Sequence, residues 1–119
     1  YTIMKLAIVG TRHPAIKYAE FEKLLLSKID ESEITQVISG GAEGIDTYAK
    51  LFAGRHHIPL MEFLPQYSIH GKNAPLRRNT KIVREADTVI AFPSVTSTGT
   101  LHSIREAERM KKRLIIVRI

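Results

Sequence analysis

Three glycine- and hydroxyl-rich turns contain the residues best suited to bind an anion. They are Gly10-Thr11-Arg12, Ser39-Gly40-Gly41-Ala42-Glu43-Gly44-Ile45-Asp46, and the segment that runs from Pro93 through Ser97-Thr98-Gly99-Thr100. Each turn follows a short apolar run and opens a segment of helical periodicity. Glycine lets a backbone approach a ligand closely, and the free N–H groups at a helix N-terminus favour negative charge. The turns therefore predict a site for a phosphate-bearing ligand.

The second turn has two interpretations. Ser39, Gly40, Gly41 and Gly44 form either an anion-binding nest of N–H groups or a tight turn without a ligand. Asp46 follows in the first helical turn, where it either caps the helix or contacts a ribose hydroxyl. The turn matches neither of the common glycine-rich nucleotide-binding fingerprints.

Basic residues lie near the other two turns. Arg12, at the tip of the first apolar run, either pairs with a phosphate in bidentate fashion or is simply solvated. Arg77, Arg78 and Asn79 begin a later helix, from which a guanidinium reaches the same site or faces solvent. The hydroxyl groups and Gly99 of the third turn suit a phosphate, or form an ordinary capped loop.

Catalytic signals are few. If the protein is an enzyme, Glu43 and Asp46 are the candidate catalytic carboxylates, and no other acidic pair is placed for acid–base chemistry. There is no nucleophile elbow of the type found in serine hydrolases. The five histidines lack metal-ligand spacing, and cysteine is absent. We therefore predict neither a metal site nor a cofactor.

Apolar runs alternate with helical periodicity along the whole chain. Strands are predicted near residues 5–9, 36–39, 60–64, 88–92 and 114–117, and helices near residues 15–29, 44–56, 75–85 and 100–112. Pro14 suits the first turn of the first helix, and residues 65–74 form a polar loop. This pattern predicts an α/β fold: one domain over residues 1–119, with a Rossmann-like, doubly wound, five-stranded parallel sheet of order 3-2-1-4-5. In that order the three turns meet at one crevice.

Length, charge and hydropathy narrow the function classes. The 119 residues suit one domain, and the net charge of +6 favours anionic partners such as nucleotides or nucleic acid. No stretch reaches the roughly 20 apolar residues that span a membrane, and no secretory signal is visible. We therefore expect a cytoplasmic protein without a membrane partner.

The turns, in this order, resemble the SLOG superfamily, which includes the cytokinin-activating LOG proteins and the DNA processing protein A fold. The resemblance covers nearly the whole chain, and the chain is similar to the small stand-alone branch of the superfamily. It rests on Val9-Gly10-Thr11-Arg12, the second turn from Ser39 to Asp46, Arg78-Asn79, Ala91-Phe92-Pro93 and Gly99-Thr100.

The resemblance implies a Rossmann-like fold, a nucleotide-derived ligand and self-association. Some members cleave the N-glycosidic bond of nucleoside monophosphates, others sense nucleotide signals, and DNA processing protein A binds single-stranded DNA. LOG enzymes carry a Pro-Gly-Gly-x-Gly-Thr loop that is closely followed by a catalytic glutamate. Here Ser94-Val95-Thr96-Ser97-Thr98 replaces the two glycines, and His102 or Ser103 stands at the glutamate position.

Three hypotheses follow. The first is a nucleotide-binding or nucleotide-sensing domain, and the second is an N-glycosidase of nucleoside 5′-monophosphates. The third is a single-stranded nucleic-acid binder, which needs aromatic stacking platforms; Tyr67 is the aromatic residue in the loop at 65–74. We also expect a homo-oligomer, for which Leu76, Ile82 and Val83 on a short basic helix give a hint.

Overall fold

A computed structural model describes residues 3–94 and 98–119 of the chain. Its strands are β1 (Met4–Gly10), β2 (Ile34–Ser39), β3 (Leu60–Glu62), β4 (Thr88–Phe92) and β5 (Arg113–Ile116). Its helices are α1 (Tyr18–Lys28), α2 (Ile45–Arg55), the single turn α3 (Tyr67–His70), α4 (Ala74–Glu85) and α5 (Thr98–Arg109), with 3-10 turns at Glu31–Glu33 and Gly71–Asn73. Within the described ranges, no helix has the length and apolar character needed to cross a membrane.

The five strands form one parallel sheet in the order β3-β2-β1-β4-β5. This confirms the predicted Rossmann-like order. β1 lies at the centre, where Leu6 pairs with Val37 of β2 and Val9 pairs with Ala91 of β4. From β1 the chain adds β2 and β3 on one side, and it then crosses back to add β4 and β5 on the other side of β1. The carboxyl ends of β1 and β4 therefore flank the crevice expected at a topological switch point.

Successive β1 side chains enter two different cores. Leu6 and Ile8 pack with α1 and α2 on one face, whereas Ala7 and Val9 pack with α4 and α5 on the other. Residues along a strand alternate between the two faces of a sheet, and helices cover both faces here. The apolar runs are therefore continuous rather than alternating, and they hold the turns at the carboxyl edge on a rigid base.

Several element boundaries differ from the predicted ones. α1 begins at Tyr18, so Pro14 lies before the helix rather than in its first turn. The Tyr48 hydroxyl donates to the Ile16 carbonyl, and this bond ties the segment ahead of α1 to α2. The predicted polar loop at 65–74 contains α3 and a 3-10 turn, and the edge strand β3 ends at Glu62. α3 and the 3-10 turn therefore add helical structure where a loop was predicted, while α1 and β3 are shorter than predicted.

Candidate functional site

A crevice of about 510 Å³ opens at the carboxyl edge of the sheet. It lies between the end of β1 and the first turns of α2, α4 and α5. It brings together many of the residues predicted for the site: Gly10, Thr11, Arg12, Gly40, Asp46, Arg78, Asn79, Thr98, Gly99 and Thr100. Its volume is in the range of small-molecule pockets, which is about 300–1,000 Å³. The crevice is therefore the candidate binding site.

Other predicted site residues lie outside the walls of this crevice. Among the described residues, Ser39, Gly41, Gly44 and Pro93 contribute to the turns without lining it. Arg77 and Glu43 are exposed and also do not line it. Ser97 lies outside the described residues. Of the two candidate catalytic carboxylates, Asp46 is thus the one that faces the crevice.

Thr11 ties the three turns together. Its N–H donates to the Phe92 carbonyl over 3.1 Å, and its carbonyl accepts from the Ile45 N–H over 3.0 Å. Its hydroxyl accepts from Ser94 Oγ and from the His13 N–H, each over 3.1 Å. Thr11 is buried, and these bonds join it to all three turns. It therefore fixes the geometry of the site, a role that its position in the sequence did not indicate.

Two glycines allow the first and second turns to pack against each other. Gly44 has a φ of +74°, and a Cβ there would lie 2.4 Å from the Thr11 carbonyl oxygen. At Gly10, a Cβ would lie 2.5 Å from the Ile45 side chain. Both glycines are required because the chain packs closely against itself. Their presence therefore does not by itself indicate a ligand.

The Asp46 carboxylate already binds inside the second turn. Its Oδ2 accepts from the Ala42 N–H over 3.0 Å. Burial raises the pKa of Asp46, while the Ala42 hydrogen bond and the charges of Arg78 and Arg12 act in the opposite direction. The carboxylate thus stands where the sequence predicted an incoming anion. The Ala42 N–H is therefore already occupied and is not free to bind a phosphate.

Arg78 is a buried arginine, only 7% exposed, between two loops. Its Nη1 donates to the Gly40 carbonyl over 2.7 Å and to the Phe63 carbonyl over 3.5 Å. Burial lowers the pKa of Arg78, and the nearby Asp46 charge partly offsets this effect. Because its Nη1 bonds to carbonyls of two separate loops, Arg78 positions the loops that form the crevice.

Asn79 connects Arg78 to the first turn of α5. Its Oδ1 accepts from Arg78 Nε over 2.9 Å, and its Nδ2 donates to the Gly99 carbonyl over 3.4 Å. Ser103 Oγ donates to the same carbonyl over 3.4 Å. The Arg-Asn pair predicted as a ligand-binding motif is therefore also a brace that holds the α5 N-terminus in place.

The remaining walls of the crevice differ in chemistry. Arg12 is exposed at the mouth, and the first turn of α5 contributes Thr98, Gly99 and Thr100. A helix N-terminus beside an exposed guanidinium favours an anion. Pro75 and Leu76 of α4 provide an apolar wall that the sequence did not reveal. A cationic mouth next to an apolar wall suits a ligand with both a phosphate and a base.

The same helix bears on the expected self-association. Ile82 and Val83 are buried in the core of the protein, while Leu76 is 43% exposed and lines the crevice. Of the three apolar residues on α4, only Leu76 is therefore exposed, and it lines the crevice. Self-association stays a prediction.

In the described parts of the chain, no group of three or more acidic or histidine side chains is arranged to hold a metal ion.

Comparison with known proteins identifies the family of the chain and agrees with its fold. The model of the family described as DNA recombination-mediator protein A matches residues 2–64, more than half of the chain. The gene 61 protein of Mycobacterium phage D29 is 37% identical over 79 residues, which cover 61% of this chain and 63% of the phage protein. The chain thus spans less than two thirds of that relative.

Solved structures share the fold at low sequence identity. DNA processing protein A from Helicobacter pylori is 21% identical, with a TM-score of 0.72 over 97% of this chain and 65% of its own. The Streptococcus pneumoniae protein is 19% identical, with a TM-score of 0.77 over 96% and 50%. TM1055 is 19% identical, with a TM-score of 0.68 over 93% and 72%. The chain therefore belongs to the DNA recombination-mediator protein A family, within the SLOG superfamily that its turns resemble.

Proposed function

We propose that this protein binds single-stranded DNA and that the crevice holds one nucleotide of the strand. The observation that carries the proposal is the exposed Arg12 guanidinium, which lines the crevice together with the first turn of α5. The structure of Helicobacter pylori DNA processing protein A, which has this fold, concerns its single-stranded DNA binding mode. Family membership thus favours the strand-binding hypothesis over the free nucleotide that the sequence placed first.

The chemistry of the crevice supports a nucleotide unit. Arg12 and the α5 N-terminus favour the phosphate, while Pro75 and Leu76 contact the apolar face of a base. Tyr67, at the start of α3, is 59% exposed, and α3 packs against α4, the helix that carries Arg78. An exposed aromatic ring beside a basic crevice is a common platform for stacking unpaired bases.

A recessed site also favours single strands over duplexes. A base can enter the crevice only if it leaves its stack, and this costs a few kcal/mol in a duplex. In a single strand the cost is smaller. We therefore expect single-stranded oligonucleotides to bind more tightly than duplexes of the same sequence and length at equal salt concentration.

The test is fluorescence anisotropy with a labelled single-stranded 20-mer. Arg12→Ala should weaken binding about tenfold or more, because a hydrogen bond to a charged group contributes about 1.5–3 kcal/mol. Arg113→Ala is the matched control: Arg113 is exposed at the start of β5, on the opposite edge of the sheet. Equal losses in both variants would refute the crevice as the binding site.

A free nucleotide is the second candidate ligand, and the crevice volume of about 510 Å³ favours it. The two candidates differ in how affinity depends on strand length. If the physiological ligand is a free nucleotide, a nucleoside monophosphate will displace the labelled strand at the same concentration as an oligonucleotide. If it is a strand, the oligonucleotide will compete at much lower concentrations.

A further inference from the structure

A second crevice, of about 330 Å³, lies beside the first and shares one residue with it. Arg78 lines both. Its Nη1 bonds to the Gly40 carbonyl and to the Phe63 carbonyl, so the guanidinium forms the partition between the two spaces. The binding surface therefore continues from the first crevice, past Arg78, to the segment that follows β3.

The second crevice has mixed walls. Phe63, Leu64 and Pro65 provide apolar surface, and Leu64 is 62% exposed. Glu62 places a carboxylate in the wall, and this opposes a phosphate inside the crevice. Lys81 Nζ stands at the same crevice, bonded to Gln66 Oε1 over 3.3 Å. A recess with one apolar side and a cation beside it matches a base inside and a phosphate outside.

We propose that this second crevice holds the base of the neighbouring nucleotide on the same strand, with Lys81 facing the phosphate that joins the two nucleotides. This inference rests on the proposed function. Three observations favour a strand over a peptide partner: the partition shared with the first crevice, the exposed Tyr67 ring next to Gln66, and the net charge of +6. Glu62 also provides an acceptor for the exocyclic amine of cytosine or adenine.

Isothermal titration calorimetry with thymidine 5′-monophosphate and hexathymidylate tests the inference. Two variants alter the second crevice, Lys81→Glu and Leu64→Ser. Each has a control on another face, Lys23→Glu on α1 and Leu51→Ser on α2. Both control side chains are exposed, as is Leu64, whereas Lys81 is half-buried. Circular dichroism and thermal unfolding confirm that each variant is folded.

We expect Lys81→Glu and Leu64→Ser each to weaken hexathymidylate binding fivefold or more, while the two controls stay within twofold of the wild type. Binding of thymidine 5′-monophosphate should change by less than twofold in Leu64→Ser. The inference is overturned if hexathymidylate affinity is unchanged in both variants while Arg12→Ala still weakens it; the proposed function survives that result. If wild-type protein binds no oligonucleotide, both proposals fail together.

Discussion

The Arg78 guanidinium lies directly against Gly40, with Nη1 2.7 Å from the Gly40 carbonyl oxygen. A Cβ at residue 40 would lie 2.5 Å from the same nitrogen and 3.0 Å from Asp46 Oδ2. The second turn therefore closes between a buried cation and a partly buried carboxylate, and a side chain at residue 40 would push the Arg78 guanidinium away from the Gly40 carbonyl. Glycine at this position therefore preserves the bond between the guanidinium and the backbone.

Gly40→Ala should destabilise the protein by about 1–3 kcal/mol, the usual cost of overpacking a well-filled site. Gly54→Ala is the control, because a Cβ at residue 54 of α2 meets nothing within 4 Å. That change should leave stability unchanged or raise it by up to about 1 kcal/mol, since alanine favours helix. Urea unfolding measures both. Equal stability of the two variants would contradict the close packing at Gly40.

Arg78→Ala should lower both stability and DNA affinity, because it leaves the buried Gly40 carbonyl without its 2.7 Å donor. We expect a loss of about 1–3 kcal/mol in the free energy of unfolding. Arg12→Ala, at an exposed site, should reduce affinity and leave stability within about 0.5 kcal/mol. Thermal unfolding measures the stability of both variants, and fluorescence anisotropy measures their DNA affinity. Together they distinguish Arg78, which positions the loops, from Arg12, which binds the strand. A fully stable Arg78→Ala variant would refute the positioning role.

His56 should make stability depend on pH. Its two ring nitrogens face Glu22 Oε1 and Glu31 Oε1, at 2.5 and 2.8 Å, and both nitrogens can donate only when the ring is protonated. Burial lowers the pKa of His56, but the bonds to Glu22 and Glu31 outweigh it, and the net pKa lies above the ordinary value of 6.5. The stabilisation is therefore fully present below pH 6.5 and is lost as the pH rises through the folded pKa.

His56→Gln should remove this pH dependence. The measurement is the midpoint of urea unfolding between pH 5.5 and pH 8.5 for the wild type and the variant. His57→Asn is the control: His57 is exposed, and asparagine tolerates its φ of +54°. If the wild type and His56→Gln show the same pH profile over this range, the ion pair across α1 and α2 contributes nothing.

We expect release of free base from nucleoside monophosphates to be slow or absent. His102 and Ser103 stand where LOG enzymes have their glutamate, and the next carboxylate on α5, Glu106, is bound by Arg109 and Thr80. These bonds lower the pKa of Glu106 to about 2, which is far from the value that a general acid or base needs near neutral pH. Asp46 remains as the crevice carboxylate.

Chromatography of reactions with purine and pyrimidine monophosphates measures that activity. Rapid base release that disappears in Asp46→Asn would contradict an account based on binding alone and would establish the N-glycosidase hypothesis. The Glu43→Gln variant is the control, because Glu43 is exposed and does not line the crevice.

The strand order was predictable because both faces of the sheet are covered. Continuous apolar runs such as residues 6–9 indicate strands buried on both sides, and short connections then leave few topologies. The carboxyl-edge crevice follows from that order alone. The general location of the site was therefore accessible from the sequence.

The roles of the polar residues could not be predicted from the sequence in the same way. Arg78 bonds to carbonyls 38 and 15 residues earlier in the chain, and the Thr11 hydroxyl bonds to a side chain 83 residues later. Such contacts follow from tertiary packing, and neither periodicity nor spacing reports them. The helical turn α3 could not be predicted either, because its four residues are too few to show helical periodicity and no side chain caps its start.

The central claim is that a single DNA strand binds at the carboxyl-edge crevice. Amide chemical-shift mapping of the 13.4-kDa protein with hexathymidylate tests it directly. The account predicts that the largest shifts fall in residues 10–13, 40–42 and 98–103, around Arg12 and the start of α5. Shifts concentrated instead at the basic residues on the opposite edge, Arg84 and 111–113, would contradict it.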